Sequence, residues 1–88
     1  MPKRATYVYV LSNYGEDGAE EVQATFDRAS LPALLEKRLP NYDPENQSDA
    51  HEKLAQLLRK TDEELASGAG HNLMSGWGGE QLHVVMLS

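Results

Sequence analysis

TYVYVLS, residues 6–12, is a run of β-branched and aromatic side chains that predicts a β-strand. Apolar side chains occur at successive positions, so both faces of this strand are expected to be covered, as in the centre of a sheet. The stretch NYGEDGA at residues 13–19 has the glycine and Asn/Asp content of a turn. Val22, Ala24 and Phe26 then alternate with polar residues, which predicts a second strand with one buried face and completes a β-hairpin.

The middle of the chain predicts two helices. Leucines at helical spacing lie between Ser30, a good N-cap, and Pro40, which cannot continue a helix. The stretch NYDPENQSD, residues 41–49, is expected to be a polar loop, and a longer helix is expected to begin near Asp49, with Asp49 and Glu52 as its capping pair. A second capping pattern, TDEE at residues 61–64, predicts a break in that helix near Lys60.

The glycine-rich stretch GAGHNLMSGWGGE, residues 68–80, precedes a closing strand in which Leu82, Val84 and Met86 alternate with their neighbours. A phosphate-binding loop would lie between a strand and the helix after it, whereas this stretch follows a helix. We therefore interpret it as a connection, with Gly68 as the helix C-cap. The sequence predicts one α+β domain spanning residues 1–88, a three-stranded, largely antiparallel sheet with two helices on one face, in the order β-β-α-α-β.

Composition narrows the classes of partner. The chain has 88 residues, no cysteine, and 14 acidic against 8 basic side chains, which gives a formal charge of −6. An acidic surface repels phosphate backbones, so direct nucleic-acid binding is disfavoured and a basic protein partner is favoured. The alternative is that the charge only keeps a small protein soluble. No run of residues is long and apolar enough to span a bilayer, and the absence of cysteine fits the cytoplasm.

The acidic residues are clustered, and the clusters contain no basic residue. The first comprises Glu16, Asp17, Glu20 and Glu21, the second Asp43, Glu45 and Asp49, and the third Asp62, Glu63 and Glu64. Such clusters either present a negative surface to a basic groove or are solvated loop faces. We select the first two clusters as candidate partner-binding residues.

Trp77 is the only tryptophan in the chain, and glycines flank it on both sides. Its ring either covers the edge of a core that has few aromatic residues or anchors a partner, since tryptophan is enriched at binding hot spots. It is therefore a further candidate partner-binding residue.

The sequence contains few of the residue patterns that indicate catalytic or metal-binding sites. His51, His71 and His83 lack the short spacings of zinc sites, and no serine lies in a strained Gly-x-Ser-x-Gly elbow. Residues 41–52 place oxygen-bearing side chains at the ligand spacing of an EF-hand, but Asn46 replaces the glycine that the sharp turn of that loop requires. We expect no enzyme activity, no metal and no cofactor.

The opening stretch TYVYVLSNYGEDGAEEVQATFDRASLPALLEKRL, residues 6–39, belongs to a short, acidic, cysteine-free chain. In these features the protein resembles the small accessory proteins of bacteriophages, in particular the anti-CRISPR inhibitors. The resemblance implies a non-enzymatic inhibitor in the bacterial cytoplasm, monomeric or a small homo-oligomer, whose acidic surface blocks a basic, nucleic-acid-binding site on a host protein or ribonucleoprotein. The alternative is a regulatory or antitoxin-like module that binds through the Trp77 loop or a sheet edge.

Overall fold

The structure is a computed structural model that describes residues 6–14, 22–40, 42–68, 70–74 and 79–87. Among these residues it contains four strands and three α-helices. They are β1 (Tyr7–Tyr14), β2 (Val22–Thr25), α1 (Leu31–Arg38), α2 (Pro44–Leu57), α3 (Asp62–Ala66), β3 (His71–Asn72) and β4 (Gly79–Met86). The α+β class is therefore confirmed, whereas the predicted strand number, helix number and element order are wrong.

The sheet has the strand order β2-β1-β4-β3, and each neighbouring pair is antiparallel. The predicted hairpin of β1 with β2 and the central position of β1 are confirmed. The strand that was not predicted, β3, has only two residues, His71 and Asn72, and lies within the glycine-rich stretch. A strand of that length leaves no alternating pattern in a sequence, because at least four residues are needed to establish a period of two.

Helix α2 begins at Pro44, so the predicted polar loop over residues 41–49 is wrong for most of its length. Proline is well suited to the first helical position, where its missing N–H would have no intrahelical acceptor, and Asp43 precedes it as the N-cap. The polar residues that follow form the exposed side of a helix. Asp49 therefore lies inside α2 and does not cap it, and the helical residues 44–52 do not form an EF-hand loop.

The predicted break near Lys60 is confirmed. Helix α2 ends at Leu57, and α3 starts after Thr61, which forms a capping box with Glu64. The side chain of Arg28 fixes this corner, because it donates hydrogen bonds to the carbonyl oxygens of Leu58 and Lys60 at 2.5 and 2.6 Å. The end of α2 is thus tied to the segment that leads into α1.

The core lies between the helices and one face of the sheet. Tyr9 and Leu11 of β1 are paired with Val84 and Leu82 of β4, and all four side chains are buried. From the helices, the buried residues of this core are Leu31, Leu35, Leu39, Ala50, Leu54 and Leu65. All the described helices therefore cover the same face of the sheet, as the sequence predicted.

The expected buried face of β2 is a wrong prediction. Val22 and Phe26 are 60% and 69% exposed, and Ala24 between them is also exposed. The alternate side chains of β2 point towards the helices, as shown by Gln23, which accepts a hydrogen bond from Arg38 of α1. Alternation showed that β2 has two unlike faces, but it could not show which face the helices cover.

Two glycines carry the chain from α3 into the sheet. The helix C-cap is Ser67 and not the predicted Gly68, whose backbone lies outside the left-handed region that a glycine C-cap usually adopts. Gly70 has a packing role, since a Cβ atom there would lie 2.2 Å from the imidazole ring of His83.

Within the described ranges, no helix is long and apolar enough to cross a membrane.

Candidate functional site

An acidic row lies along the exposed side of α2. We use this name for Glu45, Asp49 and Glu52, which follow one another at intervals of four and three residues. At 3.6 residues per turn, these three positions fall within an arc of about 60°, and the row is about 10 Å long. Ala50 and Leu54, the buried residues of α2, point to the opposite side. The folded helix thus converts a loop-like acidic sequence into a regular line of carboxylates.

The members of the row differ in their surroundings. Glu45 and Glu52 are exposed, whereas Asp49 is half-buried and forms an ion pair with Lys53 at 3.6 Å. Glu45 lies in the first turn of α2, where the helix dipole favours a negative charge, so it also stabilises the helix. Asp43 extends the negative charge beyond the helix end as the N-cap residue, without a side-chain capping bond. Glu52 is the member of the row that neither forms an ion pair with Lys53 nor lies in the first turn of α2.

A buried polar cluster holds the beginning of α2 in place. Glu80 of β4 forms an ion pair with Arg38 of α1 and accepts a hydrogen bond from the hydroxyl of Tyr42 at 2.9 Å. The carbonyl of Tyr42 in turn accepts a hydrogen bond from the side chain of Gln47, inside α2, at 2.7 Å. The side chains of Arg38 and Glu80 are only 5% and 1% exposed. This cluster connects β4, α1 and the acidic end of α2, and so fixes the orientation of the acidic row.

The third acidic cluster is divided between structural and exposed residues. Asp62 accepts hydrogen bonds from Arg28 and from the hydroxyl of Tyr9, both at 2.8 Å. Burial, the hydrogen bond from Tyr9 to Asp62 and the charge of that carboxylate raise the pKa of Tyr9 to about 12. Asp62 therefore ties α3 to the sheet, while Glu64 completes the capping box. Glu63 is the member of this cluster that is exposed and has no structural partner among the described residues.

Of the candidate partner-binding residues, the structure brings Asp43, Glu45 and Asp49 together at the start of α2. The candidates Glu16, Asp17, Glu20, Glu21 and Trp77 lie outside the described residues.

Two residues of this region were not predicted from the sequence: Glu52 as a member of the row, and Glu80 as the residue that holds Tyr42. Glu52 could have been found by extending helical spacing from Glu45, had the helix been started at Pro44. For Glu80 the sequence gives only a weak signal: it alternates with Gln81 in phase with the buried Leu82 and Val84. A carboxylate on the buried side of a strand requires a cation nearby.

The sheet face opposite the helices has a different chemistry. It carries the exposed apolar side chains of Val22, Phe26, Val85 and Leu87, and Val8 is paired with Val85 across β1 and β4. By strand alternation, the described residues of this face include no carboxylate. The described acidic surface and the apolar sheet face are therefore on opposite sides of the molecule.

No group of three or more histidine or carboxylate side chains that could hold a metal ion occurs among the described residues. No protein-family model matches the sequence, and no curated protein or solved structure matches it either.

Proposed function

We propose that this protein is a small, non-enzymatic inhibitor that binds a basic, nucleic-acid-binding site on a partner protein through the acidic row of α2. The observation that carries the proposal is the placement of Glu45, Asp49 and Glu52 on one exposed side of a regular helix. The row is about 10 Å long, which corresponds to about three nucleotide steps of about 3.4 Å along one DNA strand. A basic groove that neutralises successive phosphates can therefore meet successive carboxylates of α2.

Rigidity supports this role. A flexible acidic loop loses conformational entropy when it binds, whereas α2 is already ordered and is held by the Tyr42–Glu80–Arg38 cluster. The net charge of −6 adds a long-range attraction to a basic partner, which accelerates the encounter at low ionic strength. Both features favour competition with nucleic acid for a preformed basic site.

The resemblance to anti-CRISPR inhibitors implies a class of partner, namely the nucleic-acid-binding ribonucleoproteins of bacterial defence. We propose accordingly that the protein is phage-encoded and acts in the cytoplasm of a bacterial host. In this proposal the inhibitor occupies the channel that would hold the target DNA, and it needs no cofactor and no bond-breaking step.

The experiment is a competition assay with a panel of purified CRISPR effector complexes and fluorescently labelled target DNA. The protein is expected to displace the DNA from at least one complex in a concentration-dependent manner. Its affinity is expected to fall as salt is raised, because exposed charges are screened over a Debye length of about 10 Å at 0.1 M salt. An unrelated acidic protein of equal net charge provides the control for non-specific electrostatics.

A charge-reversal variant tests whether the first acidic cluster extends the binding surface. Reversal of Glu16, Asp17, Glu20 and Glu21 to lysine is expected to weaken displacement of the DNA without unfolding the domain. If no complex in the panel releases its DNA, or if the acidic control protein is equally effective, the proposed inhibition is wrong.

A further inference from the structure

The strand β4 has one edge that the rest of the described sheet does not cover. Strand β3 is paired with β4 only at His71 opposite Leu82 and at Asn72 opposite Gln81. Within the described part of the chain, no strand continues along this edge beyond Leu82, although β4 runs on to Met86. The terminal four residues of β4 are thus paired on one side only, with β1.

The hydrogen bonds show which backbone groups face the uncovered edge. Both backbone groups of a residue in an antiparallel strand point to the same side, and successive residues alternate. The carbonyl of Glu80 accepts a bond from Leu73 on the β3 side, whereas the N–H of Leu87 donates to Thr6 on the β1 side. The N–H and C=O groups of Val84 and Met86 therefore point outwards. No other described residue pairs with these groups, which can supply two donors and two acceptors to an added strand.

A groove of about 610 Å³ runs beside these groups, and we call it the edge groove. Its lining includes Ser67, Gly68 and Gly70 on the side of α3, and Val84 and Met86 on the side of the sheet. The volume lies within the range of about 300–1,000 Å³ that is usual for ligand pockets. Gly68 leaves room for a backbone to approach, since a Cβ atom there would meet no other atom within 4 Å, and Met86 adds an exposed apolar side chain.

The groove is also negatively charged. Glu63 belongs to its lining, as does Tyr7. Burial raises the pKa of Tyr7, and the negative charges of Glu63 and Asp62 raise it further. Among the residues that the structure describes, no lysine or arginine contributes to the lining. A ligand with a positive side chain near Glu63 would gain both a salt bridge and the attraction of the molecule's net charge.

We propose that the edge groove binds an extended, basic peptide segment, which adds a strand to the sheet at Val84 and Met86. Backbone hydrogen bonds to the free strand edge supply the affinity, as in other cases of β-strand addition, and the contact with Glu63 supplies the preference for a basic residue. A second copy of this chain fits less well, since two molecules that each carry a charge of −6 repel each other. The site lies apart from the acidic row, so this inference does not depend on the proposed function.

The test uses the acetylated and amidated peptide RVTVR as the probe, with EVTVE as its matched acidic counterpart. Binding to the full-length, ¹⁵N-labelled protein is followed by amide chemical shifts. The basic peptide is expected to shift the amides of Val84 and Met86 in a saturable way, and the acidic peptide is expected to bind at least about tenfold more weakly, equivalent to about 1.4 kcal/mol.

Two variants locate the site. In Gly68→Leu, the new side chain enters the groove, where a Cβ atom meets no other atom within 4 Å, so the fold is expected to persist while the affinity for RVTVR falls at least about tenfold. Met86→Pro removes an outward-facing donor and leaves the ladder between β1 and β4 intact, because proline is tolerated at strand edges. Ala55→Leu, at an exposed position of α2, is the control and is expected to bind as the wild type does.

Several results would overturn the proposal. These are the absence of saturable shifts at millimolar RVTVR, equal binding of EVTVE, or shifts confined to the acidic row. Equal binding by the folded Gly68→Leu variant would also exclude the groove. A concentration-dependent dimer that Met86→Pro dissociates would assign the edge to a second copy of the chain.

Discussion

Removal of the buried cation at Arg38 provides the sharpest test of how the acidic row is held. Its ion pair with Glu80 has side chains that are 5% and 1% exposed, so Arg38→Met leaves a carboxylate in the core without its cation. Breaking a buried pair in this way costs about 3–5 kcal/mol. In a domain of this size each kcal/mol lowers Tm by about 4–8 °C, so a decrease of at least about 12 °C is expected.

The measurement is thermal and urea denaturation followed by circular dichroism. Lys53→Met is the matched control, since it also removes a cation from an ion pair, but with side chains that are 37% and 31% exposed. That change is expected to cost only about 0.3–0.5 kcal/mol. The double variant Arg38→Met/Glu80→Met should recover most of the loss, because the unpaired charge is gone. If Arg38→Met and Lys53→Met are equally stable, the buried cluster does not organise the fold as we describe.

Two further predictions concern the sheet. The pKa of Tyr9 is raised from 10.0 to about 12 in the folded state, so the stability that its protonated hydroxyl contributes is complete below pH 10 and is lost as the pH rises towards 12. Denaturation measured between pH 9 and 12 should show this loss, and the Tyr9→Phe variant should lose less stability over the same range. Gly70→Ala is expected to cost about 1–3 kcal/mol, since its Cβ would lie 2.2 Å from the ring of His83. The double variant Gly70→Ala/His83→Ala should relieve that clash in urea melts, and equal losses in the single and double variants would refute this explanation.

The parts of the fold that could be predicted are those set by strong local signals. The β-branched and aromatic run from Thr6 predicted the central strand, and the capping residues Thr61 and Glu64 predicted the break between α2 and α3. The start of α2 was misplaced because Asn, Asp and Pro near residue 44 are equally common in loops and at helix N-termini. Only the tertiary structure shows that Ala50 and Leu54 pack in the core against residues of the other elements.

The remaining errors arose where the outcome depends on what packs against an element. The alternation in β2 was correct as a pattern, but the side chains of Val22 and Phe26 lie on the face that the helices do not cover. The candidate site was predicted in part: Asp43, Glu45 and Asp49 were selected by charge, while Glu52 was left out because it was assigned to a helix cap. The role of Glu80 depends on Arg38, which is 42 residues away in the chain and carries no local signal of that contact.

The measurement that tests the central claim most directly compares two charge reversals in the DNA-displacement assay. Glu52→Lys changes the acidic row, and Glu36→Lys changes an exposed position of α1, so both variants alter the net charge equally. Recognition through the row predicts that Glu52→Lys weakens inhibition by about tenfold or more, equivalent to about 1.4 kcal/mol, while Glu36→Lys changes it by less than about twofold. Equal effects of the two reversals, or wild-type inhibition by a folded Glu52→Lys variant, would contradict recognition through α2.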